Sequence, residues 1–284
     1  MNLVRAGAIQ MVSGRDVEAN LSMAEKLITQ GAENGAQILA LPENFAVLDS
    51  HNLLPWAKQE EATQVFTRFL AQQSRHHKVW LIAGTIPMLS PHSGEVNDDE
   101  NQRVRAASLV FNSQGEVVSR YDKIHLFDVL VNDKQGQYKE SKTIEPGQDL
   151  VMQETPFGNL GQTVCYDLRF PELYSALRQQ GAEIFSVPSA FTEKTGEAHW
   201  QSLLQARAIE NQCFVIAPNQ GGQHTPNRKT WGHSMVLDPW GNILSQLDKG
   251  EGVAMAEMDM DWLQEIRDAM PVQQHKKFQV VPLS

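Results

Sequence analysis

The sequence predicts one α/β domain, built around a large mixed β-sheet or around two packed sheets. Strand patterns and helix patterns alternate along the 284 residues, and hairpin signals are inserted between them. Neither an internal repeat nor a linker interrupts this order, so residues 1–284 are expected to form a single domain. The composition is 41% apolar and 20% charged, which is typical of a globular protein with a sizeable core.

The N-terminal half is predicted to begin with a strand at residues 3–11. Asp16 can cap a helix over residues 17–34, because apolar residues such as Leu21 and Leu27 share one face of it. Short apolar runs and a further amphipathic stretch predict the other elements. These are a strand at 37–41, a helix at 60–75, a strand at 79–84, and hairpin strands at 105–112 and 117–121 around the turn at 113–115.

The C-terminal half continues the alternation, and it ends in a polar tail from Pro271. A strand pattern ends at Cys165, and a hairpin turn is predicted at residues 238–242. The remaining elements are helices at 171–180, 198–211 and 261–269, and strands at 183–187, 213–217, 234–237, 243–247 and 252–258.

Residues 90–102 are predicted to form a polar loop. Its acidic side chains could suggest a cation site, but their spacing is not that of a calcium-binding loop, so a solvated loop is expected. These acidic residues are Glu95, Asp98, Asp99 and Glu100.

Composition also excludes several classes of partner. The formal net charge of −10, without a long basic stretch, disfavours nucleic acid. No apolar run approaches the ~20 residues that a membrane helix needs, and the first residues lack the apolar core of a signal peptide. With only Cys165 and Cys213, a disulfide framework is not expected, and a reducing, cytoplasmic location is.

Three reactive side chains each follow a predicted strand: Glu43, Lys123 and Cys165. If those strands run parallel in one sheet, the three groups meet at one edge, where α/β sheets build their sites. A carboxylate could then take the proton of the thiol, and an ammonium could stabilise an oxyanion. A helix that starts beside the thiol would favour its thiolate form.

Each of these residues also has an ordinary structural explanation. A lone cysteine at a strand end is usually a small buried hydrophobe, an acid after proline usually lies in a solvated turn, and a single lysine is usually exposed. Spacing alone therefore leaves the site open.

Three sequence blocks resemble the signature blocks of the nitrilase-type carbon–nitrogen hydrolases. They are LPENF at 41–45, YDKIHLF at 121–127 and VCYDLRFPEL at 164–173, and the resemblance extends from Ala8 to about Phe278. It implies a four-layer αββα sandwich that forms a homodimer or a higher homo-oligomer. It also implies a small-molecule amide substrate, and neither a metal nor an organic cofactor.

The resemblance implies a role for each residue of the site. Glu43 is expected to be the base, Lys123 the oxyanion stabiliser and Cys165 the nucleophile. Glu140 matches the second glutamate of the family, which helps to position the lysine or the substrate. The backbone N–H of Tyr166 is expected to be a further oxyanion donor.

The C-terminal half is similar to the amidase branch, which acts on small ω-amides of carboxylic and keto acids. Blocks at 188–190, 219–221 and 232–236 are closer to deaminated-glutathione amidases than to ω-amidases. The expected reaction is therefore cleavage of a primary amide to acid and ammonia, with deaminated glutathione as substrate. The alternatives are an ω-amidase acting on 2-oxoglutaramate or 2-oxosuccinamate, and a non-catalytic scaffold. A nitrilase is disfavoured because Tyr166 replaces the usual tryptophan.

Arg169, Thr195 and His199 are candidates for binding the substrate. The planar guanidinium of Arg169 suits a carboxylate, although a structural ion pair with Asp167 or Glu172 is favoured.

Other polar and titratable residues are expected to be structural. His125, His199 and His233 could suggest a Cys–His dyad, but structural hydrogen bonding is favoured for all three. Cys213 opens an apolar strand and is expected in the core. Lys194, Arg228 and Lys229 lie in predicted loops that could reach an anionic substrate.

Overall fold

A computed structural model describes residues 2–49, 53–90, 102–279 and 281. The acidic loop predicted at 90–102 lies almost entirely outside the described residues. The described strands are β1 (Leu3–Gln10), β2 (Ile38–Ala40), β3 (Trp80–Ile82), β4 (Ile86–Leu89), β5 (Val104–Phe111), β6 (Val117–Asp122), β7 (Asp128–Leu130), β8 (Gln137–Lys139), β9 (Met152–Thr155), β10 (Gly158–Gln162), β11 (Ile184–Ser186), β12 (Phe214–Ala217), β13 (Met235–Leu237), β14 (Ile243–Gln246) and β15 (Gly252–Asp259).

The helices lie between these strands. They are α1 (Val17–Glu33), α2 (Leu53–Thr63), α3 (Val65–His77), α4 (Pro171–Gln179), α5 (Glu193–Asn211), α6 (Met260–Ala269) and α7 (Val272–His275), with short 3₁₀ helices at Glu140–Lys142 and Cys165–Arg169. Within the described part of the chain, none of the helices combines the length and the apolar character that crossing a membrane requires.

The strands form two main sheets. In the seven-stranded sheet the order is β15-β1-β2-β3-β5, β4 pairs with the first half of β5, and β6 pairs with its opposite edge. The six-stranded sheet has the order β14-β13-β12-β11-β10-β9. Strands β1 to β3 run parallel in the first sheet, and β10 to β12 run parallel in the second. Strands β7 and β8 form a separate hairpin.

Three apolar clusters separate four layers. Alternate residues of a strand point to opposite faces, so Ile38 faces the other sheet while Leu39 faces the helices α1 and α3. In the second sheet Phe214 faces the first sheet, and Val215 faces the cluster beneath α4 and α5. The chain is thus an αββα sandwich, and the predicted fold class is confirmed.

Two predicted helices differ from those observed. The single helix expected at 60–75 is interrupted at Gln64, whose φ of 54° is left-handed. There the Glu60 carboxylate accepts the N–H of Phe66 at 2.7 Å and so caps α3. Helix α5 begins earlier than predicted because the Thr192 side chain caps it, accepting the N–H of Thr195. By contrast, the predicted Asp16 cap of α1 is confirmed.

Candidate active site

The three predicted reactive groups come from different sheets. Glu43 follows β2 and Lys123 follows β6, both in the seven-stranded sheet, whereas Cys165 follows β10 in the six-stranded sheet. The expectation that they leave one sheet at one edge is therefore wrong. They meet instead where the ends of the two packed sheets come together.

The Lys123 ammonium lies at the centre of this site. Its Nζ donates to Glu43 Oε1 at 2.7 Å and to both carboxylate oxygens of Glu140 at 2.9 Å. Lys123 is 1% exposed and Glu43 is 3% exposed. Burial by itself lowers the pKa of Lys123, but the carboxylates of Glu140 and Glu43 hold that pKa well above its usual value. The amine therefore stays charged.

Glu140 completes the ion-pair network. Its Oε2 also accepts the N–H of Phe127 at 2.7 Å, which orients the carboxylate toward Lys123. Burial and the nearby Glu43 raise the pKa of Glu140, while Lys123 opposes that rise. One cation thus lies between two close carboxylates and offsets part of their charge, and losing it would leave like charges facing each other.

Cys165 starts a 3₁₀ helix shortly after β10, which ends at Gln162. Its φ of 51° places a non-glycine residue in the left-handed region, which costs of order 1–3 kcal/mol and is typical of functional turns. Its backbone N–H donates to the carbonyl of Pro188 at 2.9 Å. The α-helix α4 begins only at Pro171, so the helical turn that starts at Cys165 itself is the short 3₁₀ helix.

The Cys165 thiol is protonated at rest. Burial raises the pKa of Cys165 well above its usual value, and the charge of Glu43 raises it further. Lys123 and a hydrogen bond from the N–H of Ala190 oppose this increase. The resting group is thus a thiol with a carboxylate beside it, and its activation requires a base.

Close backbone contacts hold Glu43 in place. Gly84 has a φ of 58°, and a Cβ there would lie 2.0 Å from the carbonyl oxygen of Pro42, so only glycine fits. Thr85 Oγ1 accepts the N–H of Asn44 at 2.9 Å. The Gln220 side chain, which follows β12 of the other sheet, donates to the carbonyl of Glu43 at 3.1 Å.

The reactive groups open onto a cavity of about 520 Å³. Besides Glu43, Lys123, Glu140 and Cys165, its wall includes Tyr166, Phe191, Thr195, Tyr138, Arg15 and Arg228. Of the predicted substrate-binding residues, Thr195 lies in this wall. Neither Arg169 nor His199 is among the described residues that line it.

Arg169 and His199 contact each other behind the wall. Their side-chain nitrogens are 3.2 Å apart, and the guanidinium lies over the rings of Tyr166 and Phe191, at 5.8 and 5.5 Å from the centroids. Arg169 thus supports two residues of the wall. Within the described residues no ion pair joins it to Asp167 or Glu172, so the favoured ion pair is wrong.

The histidines have structural partners. His125 Nδ1 lies 2.7 Å from Asp167 Oδ1, and its ring stacks on Phe170 at 3.6 Å. His233 stacks on Trp231 at 4.2 Å. Across the described ranges, no cluster of three or more histidine, cysteine or acidic side chains is arranged to hold a metal ion.

The His224 side chain connects two segments of the cavity wall. His224 Nδ1 lies 2.7 Å from the carbonyl of Ser13, and its Nε2 lies 2.6 Å from Thr230 Oγ1. Burial lowers the pKa of His224 to about 4, so the ring stays neutral and bridges the two segments. The loop that carries Arg228 is thereby held against the segment that carries Arg15.

Comparison with known proteins points to one family. The profile of the carbon–nitrogen hydrolase family matches residues 5–268. The deaminated glutathione amidase of Yersinia enterocolitica is 42% identical over 278 residues, 98% of this chain and 94% of that protein. The protein of the same name from Synechocystis is 44% identical over 278 residues, 96% of this chain and 98% of that protein.

A solved structure shows the same fold. The crystal structure of the Caenorhabditis elegans NitFhit protein matches with a TM-score of 0.87 and 34% identity, over 97% of this chain. The match covers 65% of that longer chain, so the present protein corresponds to only part of it.

Proposed function

Since this chain belongs to the carbon–nitrogen hydrolase family, we propose that it is a cysteine-dependent amidase whose substrate is deaminated glutathione. The observation that carries the proposal is the buried Lys123 ammonium, held at 2.7 Å from Glu43 and 2.9 Å from Glu140 beside the Cys165 thiol. A base, a cation and a nucleophile around one cavity are the groups that acyl transfer needs.

In the proposed acylation step, Glu43 takes the thiol proton while the sulfur of Cys165 attacks the amide carbon. The S–C bond forms, and the C=O electron pair moves onto the oxygen. Lys123 has three N–H donors. At rest they point to Glu43 Oε1 and to the two oxygens of Glu140, so the oxyanion takes the place of one of the two Glu140 contacts, with the backbone N–H of Tyr166 as a second donor. The C–N bond then breaks, and Glu43 returns its proton to the leaving amine.

Deacylation uses the same base. Glu43 takes a proton from water, and the resulting hydroxide attacks the thioester carbon. The C–S bond breaks, the acid leaves, and the proton returns to Cys165. Glu140 holds Lys123 in position throughout both steps.

The amine product depends on the substrate. In deaminated glutathione the amide nitrogen belongs to the cysteine of cysteinylglycine, so hydrolysis releases that dipeptide and a 2-oxo acid. Ammonia, the product expected from the sequence, is released only from primary amides such as 2-oxoglutaramate. Cationic side chains in the cavity wall suit a substrate with a carboxylate at each end. They are Arg15, Lys139, Lys142 and Arg228.

Steady-state kinetics test the proposed substrate. Turnover of deaminated glutathione is measured from the release of cysteinylglycine, and turnover of 2-oxoglutaramate or 2-oxosuccinamate from the release of ammonia. We expect kcat/KM for deaminated glutathione to be at least about tenfold higher than for either primary amide, which corresponds to ~1.4 kcal/mol of transition-state binding. A higher kcat/KM for either primary amide would instead identify an ω-amidase.

Arg228 is the side chain that we expect to bind a substrate carboxylate. Arg15 is paired with Asp49 at 3.1 Å, whereas no carboxylate of the described residues lies within 4.0 Å of Arg228. Losing a hydrogen bond to a charged group costs ~1.5–3 kcal/mol. We therefore expect Arg228→Met to lower kcat/KM for deaminated glutathione by roughly 10- to 100-fold, chiefly through KM.

The neighbouring Lys229→Met is the matched control, because Lys229 faces Glu193 at 3.9 Å and is not among the described residues of the cavity wall. Equal kinetics for the two variants would exclude a role for Arg228 in binding. If Arg228→Met lowers kcat/KM for deaminated glutathione alone, Arg228 binds the carboxylate at the glycine end of that substrate. If it lowers kcat/KM for 2-oxoglutaramate as well, Arg228 binds the carboxylate of the 2-oxo acid, which both substrates share.

We also propose a cytoplasmic homo-oligomer. Two free cysteines and a formal net charge of −10 suit a reducing aqueous compartment. Ile209 on α5 is 51% exposed and Trp240 is 55% exposed, and Gln205 Nε2 joins their elements through the carbonyl of Gly241 at 2.8 Å. These apolar side chains form a surface suited to contact with a second copy.

A further inference from the structure

One buried carboxylate, that of Asp167, connects the segment of Lys123 to the segment of Cys165. Asp167 is 0% exposed. It accepts hydrogen bonds from donors on three residues. These are the Tyr121 hydroxyl at 2.7 Å, the Val164 N–H at 2.8 Å, and the backbone N–H and ring Nδ1 of His125 at 3.1 and 2.7 Å.

The donors to Asp167 lie next to Lys123 and Cys165 in the sequence. Tyr121 and His125 lie two residues before and two residues after Lys123, whereas Val164 directly precedes Cys165. The two segments belong to different sheets, and Asp167 and His125 are 42 residues apart along the chain. The Asp167 carboxylate is thus a direct polar link across the junction between the sheets, on both sides of the lysine.

The surroundings of Asp167 make this link stiff. Tyr121 is 0% exposed, and the burial of its hydroxyl, together with the Asp167 charge, raises the pKa of Tyr121 well above its usual value, so the hydroxyl remains a donor. The His125 ring stacks on Phe170, which lies in the same turn as Asp167. A shift of either segment would break several of these contacts together.

We propose that Asp167 is a positioning residue, whose carboxylate sets the distance and angle between the Lys123 ammonium and the Cys165 sulfur. This inference rests on the roles of Lys123 and Cys165 in the proposed function. Reacting groups must be placed precisely, and a displacement of about 1 Å can cost ~10²-fold in rate. Loosening this link should therefore lower kcat more than it changes KM.

Two buried tyrosines provide a matched test. Tyr121→Phe removes one hydrogen bond to Asp167, whereas Tyr174→Phe removes a bond of Tyr174 to Thr163 Oγ1, which is 2.8 Å long. Tyr174 is also 0% exposed, so the two variants should lose similar stability. We expect Tyr121→Phe to lower kcat about tenfold at unchanged KM, and Tyr174→Phe to stay within twofold of the wild type.

Alkylation of Cys165 by iodoacetamide provides a readout that requires no substrate. Lys123 favours the Cys165 thiolate, so a displaced lysine should slow alkylation at neutral pH and shift its pH midpoint upward. We expect both changes in Tyr121→Phe, larger ones in Asp167→Asn with kcat about 10²-fold lower, and neither in Tyr174→Phe.

The positioning role is overturned if Tyr121→Phe and Tyr174→Phe have the same kcat and the same alkylation profile. If Asp167→Asn does not fold, the tyrosine pair decides the question alone. If the wild type hydrolyses none of the candidate amides, the proposed function fails, and the alkylation profiles still decide whether Asp167 places Lys123 against Cys165.

Discussion

Cys165→Ala is expected to lower kcat by at least about 10⁴-fold while leaving the protein folded. The sulfur forms the covalent bond of the proposed acyl intermediate, and no other described nucleophile takes its place beside Glu43 and Lys123. Alanine keeps the Cβ in the same turn and removes only the buried sulfur, so the thermal midpoint should change by a few degrees at most. Product release measured by chromatography, together with circular dichroism, checks both statements.

Cys213→Ala is the matched control for this experiment. Cys213 is 0% exposed, with its sulfur 3.2 Å from the carbonyl of Ala182, and unlike Cys165 it is not among the described residues that line the cavity. This variant should keep at least half of the wild-type kcat. If Cys165→Ala kept more than about 1% of that activity, with the substitution verified by mass spectrometry, Cys165 could not be the nucleophile.

Lys123→Met is expected to impair both activity and stability. It removes an oxyanion donor, which typically costs ~10²–10³ in kcat. It also leaves the carboxylates of Glu43 and Glu140 buried without a cation, and breaking such a pair costs ~3–5 kcal/mol. Product release and urea unfolding measure the two effects. The stability deficit should shrink as the pH falls, because protonation of either carboxylate removes the repulsion.

Two further variants separate the causes of these effects. Lys139→Met removes an exposed lysine from the same cavity wall, so its unfolding free energy should match that of the wild type. The double variant Lys123→Met/Glu140→Gln should recover part of the stability but none of the activity, because it relieves the repulsion without restoring the donor. A Lys123→Met protein with wild-type stability and kcat would contradict the assignment of Lys123.

Some of the strands and helices could be predicted from the sequence, and others could not. The continuous apolar run at 38–41 correctly indicated a buried strand, because successive side chains of a strand point to opposite faces and both faces of this one are covered. The break at Gln64 was not predictable, because the helical pattern continues through it and the Glu60 cap depends on a bond to the next helix. The short strands β4, β7, β8 and β9 were missed as well, since each depends on pairing with a partner.

The residues of the candidate site could also be predicted only in part. The resemblance pointed to Glu43, Lys123, Glu140 and Cys165, and the structure brings these four residues to one cavity. It could not indicate that Asp167 binds Tyr121 and His125 instead of Arg169, because that choice depends on how the two sheets meet.

The sequence by itself determined the local properties of the protein: the strands and helices set by residue periodicity, the Asp16 cap, and the chemical groups available for reaction. Only the tertiary structure decided that the strands divide into two sheets, that the lysine and the cysteine approach from opposite sheets, and that burial keeps Cys165 a thiol. The physical reason is the separation along the chain over which each interaction acts. Periodicity and capping act over a few neighbouring residues, whereas desolvation and ion pairing depend on groups that meet only when distant segments pack together.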